Sequence, residues 1–599
     1  MNADAESIRI EDVHEQSSDT AIEALLTKID GHEFPTLSDA LSKIFEDDQE
    51  TKPAFSSSWV LPIPPPEARL VRQYMIGDAE VRLYQLLGKT ESLYFVSPKE
   101  YNLPPEELKL LCFARNQLRS LNPGNIELRT PQEARTYAMQ IGEKILKSIS
   151  KKEDICTGKE RGVEISIYRS LAGILARYTT GLGVLEIPLL DPNVQDIYID
   201  APNSTNPVHL TLGSVEGELN QRCITNIRLT EGDADSLLSR FRFESGRPFS
   251  EATPTLETNM EEFKSRVTVI GRPLSPHGIA IAVRRHSTEP WTLPRLIAAK
   301  SLTPFAAGLL SFLIDGKSTI LVAGSRGAGK SSLLGALMLE FPQSQRILTI
   351  EDTLELPTIQ MQALGYKVQN MFVQSSLGGV GEMTSDEALR VSLRLGESAL
   401  ILGEVRGQEA RTLYEAMRAG TAGSSVLGTI HGNSSKAVYE RIVHDMGISP
   451  MAFTATDIII IAGLARPRGT QKQLRRMTEI TELTKSKGPG HFSSLMTYDA
   501  QTDCLQETEI LMQNSEKLRG IASQWGLNYD ETIENIRVRG ECKARLVKES
   551  LRKNDPKMLG ARWTASANSK YWSLVEIGLT GNELLSEWTR WLDGGSLDG

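Results

Sequence analysis

The chain has 599 residues, too many for one ordinary core, so roughly two to four domains are expected. With 40% hydrophobic and 24% charged residues it is globular rather than disordered or fibrous, and its formal net charge of −10 argues against nucleic acid as a main partner. Five scattered cysteines without a CxxC pair suggest neither a zinc site nor a disulfide framework, and no apolar run reaches the ~18–20 residues that span a bilayer. The acidic start, "MNADAESIRIEDVHEQ", lacks the order of a signal peptide, so a cytoplasmic protein is expected.

Residues 1–58 are rich in Asp, Glu and Ser and read as an acidic, mobile arm. Consecutive prolines in "LPIPPPEARL" (61–70) mark entry into an N-terminal α/β region, 59–182, a candidate partner-docking domain. Within it "AEVRLYQLL" and "SLYFVSP" read as strands, "PPEELKLLCFARNQL" as a proline-started helix, and 161–182 as an amphipathic helix. From 183 to 290 the strands "VQDIYIDA", "VHLTLG" and "GIAIAVRR" alternate apolar and polar residues. Helices are expected over 291–317. Beyond them the short apolar strands "STILVAG", "RILTIED", "SALILGE", "SVLGTIH" and "ATDIIIIAG" alternate with helices, the signature of a parallel sheet covered on both faces. After 485 the chain reads as a polar, mostly helical extension, 486–599.

The first of those strands runs into Gly324-Ser325-Arg326-Gly327-Ala328-Gly329-Lys330-Ser331, followed by Ser332 and a helical pattern. This fits G-x-x-x-x-G-K-[ST], in which a glycine-rich loop turns its N–H groups and a helix N-terminus toward phosphates. Lys330 would reach the β- and γ-phosphates, and Ser331 would ligate Mg²⁺. A second strand ends in "TIEDTLE", bringing Glu351, Asp352 and Glu355 to the sheet edge where α/β folds bind ligands. Read alone, the same residues suit an acidic loop or helix cap. The third strand, "ALILGEVRG", closes on Glu404 in a Walker-B arrangement, suited to hold Mg²⁺ through water or polarise the attacking water; Arg406 would pair with an acidic neighbour or face a phosphate. The fourth supplies His431 in "GTIHG". A lone histidine at a strand end is ordinarily structural; behind these three elements it is placed to sense a γ-phosphate.

These four motifs, in this order, resemble the type II/type IV secretion ATPases, the hexameric motors of pili, archaella and secretion systems. "SLRLGESALILGEVRGQEARTLYEAMRAG" and "VYERIVHDMGISPMAFTATDIIIIAG" look most like the archaeal branch, and the resemblance runs from about 180 to 485. It implies a RecA-like P-loop domain, 291–485, preceded by a PAS-like α+β domain, 183–290. It further implies ATP and Mg²⁺ as ligands, a homo-hexamer, a polytopic membrane platform protein as partner, and a place at the inner face of the membrane. By the same resemblance Glu355, with Glu351 second, is the catalytic base. Arg266 in "SRVTVIG" and Arg284 of the Arg284-Arg285 pair match arginines that complete the site. Proline-bearing residues 286–295 would be a hinge. Thr421 stands where many bacterial members carry histidine, and their tetracysteine zinc module is missing. The rival expectation is a DNA translocase or conjugation-type ATPase, with the basic residues of "ARPRGTQKQLRRM" (465–477) lining a pore.

Overall fold

The computed structural model describes residues 58–89, 91–120, 130–152, 161–213, 222–285, 289–373, 384–407, 409–419, 425–466, 469 and 473–594. The acidic arm (Ser58 apart), Thr421 and residues 286–288 of the expected hinge lie outside them. The chain divides into two compact units, Met1–Thr288 and Glu289–Gly599, and the division falls inside the 286–295 segment.

In the first unit the described strands form one mixed sheet. Its order is Ala68–Ile76, Ala79–Leu86, Ser92–Ser97, Arg222–Arg228, Pro207–Leu212, Val194–Ile199, Ala280–Arg285, Ser265–Ile270 and Thr255–Met260. Neighbours run antiparallel except Ser92–Ser97 beside Arg222–Arg228, which are parallel. Alternation explains the strands: Val81 and Leu83 turn into one core while Tyr84 and Leu86 join the patch on the other face. The segments 59–182 and 183–290 thus contribute to a single sheet. Helices Pro105–Ser120, Pro131–Lys152 and Arg161–Thr179 bury their own core around Leu110, Leu146 and Leu171.

In the second unit the sheet order is Lys367–Phe372, Arg346–Glu351, Ala399–Leu402, Val426–Ile430, Thr319–Gly324 and Ile458–Ala465, all parallel. The expected apolar strands are therefore the observed ones. One strand, Val426–Ile430, separates the phosphate-loop strand Thr319–Gly324 from the Walker-B strand Ala399–Leu402, which is the RecA-like arrangement. Successive residues face opposite ways, so Ile320, Val322 and Ile401 enter one core while Leu321, Ala323 and Leu400 enter the other. The sheet then continues antiparallel through Leu474–Leu483, Phe492–Asp499 and Cys504–Glu507.

Helices Glu516–Trp525, Tyr529–Lys553, Ala561–Glu576 and Gly581–Gly594 complete this unit. Tyr529–Lys553 crosses Pro304–Asp315 at two facing glycines. A Cβ on Gly308 would stand 2.1 Å from Ile536 O, and one on Gly540 would stand 2.4 Å from Pro304 O. Leu518, Ile521 and Ile536 share one core with Leu309 and the strand residues, so part of the segment after 485 is interior to the sheet-bearing unit.

Candidate nucleotide site

The phosphate loop starts where Thr319–Gly324 ends. A Cβ on Gly324 would lie 2.2 Å from Ala462 O of the adjacent strand, so only glycine lets the loop leave here. Ala328 is fully buried and roots the loop in the core. Gly329, with φ of 97°, begins helix Lys330–Met338, which has no side-chain N-cap. Its first-turn N–H groups are the orphan donors that bind anions. Lys330 Nζ donates to Ser325 O at 3.1 Å, and Ser331 Oγ donates to Glu355 Oε2. Ser332 is half-buried in the first turn, and Arg326 is exposed at the loop's tip.

The acidic groups come from the neighbouring strands. Glu351 ends Arg346–Glu351 at 1% exposure, and its Oε1 receives the amides of Glu355 and Leu356, both at 2.9 Å. Burial pushes its carboxyl up to about 7, against the lowering effect of those amides. Room for the side chain exists because position 403 is glycine, whose Cβ would stand 3.2 Å from Glu351 Cγ. Arg406 Nη1 donates to Asp352 Oδ2 at 2.6 Å and its Nη2 donates to Glu404, joining the acidic box to the Walker-B strand. Oε2 of Glu351 and Oε1 of Glu404 are buried oxygens without a directed hydrogen bond.

His431 follows Val426–Ile430. Its Nε2 lies 3.1 Å from Glu404 Oε1, an ion-pair separation, although that oxygen takes no directed hydrogen bond. Burial and then the Lys330 ammonium hold the imidazole below the usual histidine range; Glu404 opposes them. The ring is therefore neutral at neutral pH.

Lys330, Ser331, Glu351, Glu355, Glu404 and His431 thus gather at one sheet edge. Arg266 and Arg284 belong to the first unit, where Arg266 pairs with Glu257 at 2.8 Å and Arg284 with Asp196 at 2.9 Å. Arg285 is turned inward onto the carbonyls of Asp191 and Val194. One contributor was missed from sequence: Glu409 Oε1 receives the amides of Arg406 and Gly407 at 2.6 and 2.8 Å, fixing the turn that carries Arg406. Its signal was an acid at the first position of a helix, Glu409–Ala419.

The donors suit a magnesium nucleotide. Ser331 and Glu404 offer hard oxygens, and the buried Glu404 Oε1, with the His431 ring beside it at 3.1 Å, takes no directed hydrogen bond and could accept a cation. Among the described residues no group of three or more His, Cys, Asp or Glu side chains forms a metal cage.

The type II/IV secretion system protein family model matches residues 189–549, more than half of the chain. The chain belongs to that family. Relatives of this family member include an uncharacterised protein of Methanocaldococcus jannaschii, 30% identical over 41% of this chain and 33% of the relative. A Mycobacterium tuberculosis protein named for conjugal transfer is 27% identical over 53% and 88%. The competence protein ComGA of Halalkalibacterium halodurans is 26% identical over 42% and 69%. The chain thus spans about a third of the first relative and most of the second. The solved pilus retraction motor PilT with bound ADP is 18% identical over 68% of this chain and 96% of that one, with a TM-score of 0.34, which adds nothing to the sequence match. Among the described residues no helix is long and apolar enough to cross a membrane.

Proposed function

We propose that this secretion-family chain is an ATP-hydrolysing motor that powers assembly of a pilus-like filament or type II-like secretion. The observation that carries the reading is the convergence of Lys330 and Ser331 with three glutamates and a neutral histidine from adjacent strands. Lys330 would leave Ser325 O for the β- and γ-phosphates, and Ser331 with Glu404 would hold Mg²⁺, which neutralises phosphate charge. Glu355 would accept the proton of the attacking water. Glu351 holds the Glu355 loop through its amide contacts and, with a carboxyl raised to about 7, is the second candidate for that proton. His431, beside Glu404 and Lys330, would report the γ-phosphate. Arg266 and Arg284 would contribute positive charge to the transferring phosphoryl group.

We infer a homo-hexamer acting on a polytopic membrane platform protein, a reading that rests on membership of the secretion family. Phosphate release from Mg·ATP by the full chain tests the enzyme: Lys330→Ala should lower kcat by about 10²–10³-fold. Turnover equal to wild type would refute the site. Stimulation by DNA in place of a platform protein would favour a nucleic-acid translocase.

A further inference from the structure

The basic stretch 465–477 has an assignable member. Strand Leu474–Leu483 lies two strands from the phosphate loop, and its start is pinned on both flanks. Leu464 pairs with Arg475 across the antiparallel ladder, while Ala462 of the same strand pairs with Gly324. Arg475 therefore stands two residues beyond the end of the phosphate-loop strand, about 7 Å farther along, at the height of the loop itself.

The backbone there is held from several directions. Arg475 O accepts from Ser301 Oγ and from Arg476 Nη1, each at 3.0 Å, and Met477 N donates to Ser301 O at 2.8 Å. The neighbouring Arg476 forks onto both oxygens of Asp503 at 2.7 Å. On this fixed base, Arg475 Nε donates to Gly327 O at 2.9 Å, and its Cδ lies 3.7 Å from where a Cβ of Gly329 would be.

The chemistry of that contact follows from peptide planarity. The carbonyl of Gly327 and the N–H of Ala328 belong to one rigid plane and point opposite ways. Gly327, at φ of 79°, has no side chain to oppose rotation of that plane. A guanidinium holding the carbonyl outward keeps the Ala328 amide turned toward Ser325, whose carbonyl it meets at 3.3 Å, and so toward the inside of the loop.

We propose that Arg475 is a positioning residue for the phosphate loop: it fixes the 327–328 peptide in the orientation that receives a nucleotide's phosphate chain. The inference rests on the nucleotide-site reading above. It predicts loss of affinity for the phosphates common to ADP and ATP rather than loss of the chemical step.

The test is binding of a fluorescent ADP and of Mg·ATP to the full chain, with steady-state hydrolysis alongside. Arg475→Ala should weaken ADP and ATP by the same factor, about tenfold, the scale of one lost charged hydrogen bond. The penalty should fall on KM while most of kcat is kept. Arg475→Lys, which retains the charge but not the Nε donor, should restore less than half of the loss on a logarithmic scale. Arg475→Ala binding ADP within twofold of wild type would overturn the proposal, as would a fall in kcat with affinity unchanged. If wild-type chain bound neither nucleotide, the nucleotide-site reading would fall first. Urea unfolding of each variant without nucleotide separates loop positioning from loss of fold: a midpoint shift large enough to account for the affinity loss counts against the proposal.

Discussion

The two ends of helix Lys330–Met338 meet carboxylates in opposite ways. At the N-terminal end, Ser331 donates to Glu355 at a solvent-reached edge, and buried oxygens of Glu351 and Glu404 wait without directed hydrogen bonds. At the C-terminal end, Leu339 O receives Tyr366 OH at 2.9 Å and Asn568 Nδ2 at 3.0 Å, and Glu340 lies 2.9 Å from Lys543 Nζ. Neither oxygen of Glu340 takes a directed hydrogen bond, so charge balance with Lys543 is what makes its burial tolerable. Buried carboxylate oxygens without directed hydrogen bonds occur at both ends, so the difference lies in the exposed Ser331–Glu355 pair at the first and the Lys543 ammonium at the second. A group that must exchange partners sits where solvent or ligand reaches it, while the far end is sealed by the helices after residue 528.

Changes at the two ends should therefore separate activity from stability. Lys330→Ala, which should remove most turnover, should leave the unfolding midpoint of the nucleotide-free chain within about 2 °C. Lys543→Met should do the reverse: it takes the cation 2.9 Å away from buried Glu340, costing about 3–5 kcal/mol in urea unfolding, and Lys543→Met with Glu340→Met should recover most of it. A Lys543→Met chain as stable as wild type would erase the contrast.

Glu351 provides a second, pH-resolved comparison. Its folded carboxyl, near 7, lies above the ordinary 4.5, so the folded chain holds the proton more tightly than the unfolded one. That contribution is complete below about pH 4.5 and is lost as pH rises through 7. Glu351→Gln should match wild type at pH 4 and exceed its stability by about 3 kcal/mol at pH 8. Equal stabilities at both pH values would mean that the carboxylate is better solvated than its burial indicates. The smallest effect is expected at the helix crossing: Gly540→Ala forces a Cβ toward Pro304 O and should cost about 1–3 kcal/mol without altering ADP affinity.

Most of the site was legible because its parts are local. The phosphate loop is one uninterrupted run, and Glu351, Glu404 and His431 each close an apolar strand whose sheet edge follows from the pattern alone. What escaped was non-local or polar. Ser92–Ser97 lies beside Arg222–Arg228, about 130 residues later, and no periodicity reports that pairing. Phe492–Asp499 reads "FSSLMTYD", too polar to announce a half-exposed strand paired on both sides in the antiparallel part of the sheet. Arg475 looked like one cation among several, because the ladder register that lifts it to the loop depends on strand pairing that the local pattern does not encode.

The glycine crossing sets a timetable for synthesis. Helix Pro304–Asp315 is apolar along nearly all of its length, and the backbone meant to lie against it arrives more than 200 residues later. A nascent chain that has already formed the phosphate loop must keep that helix from other greasy surfaces until Gly540 clears the ribosome. The engine is assembled before its housing, and the chain must survive the interval.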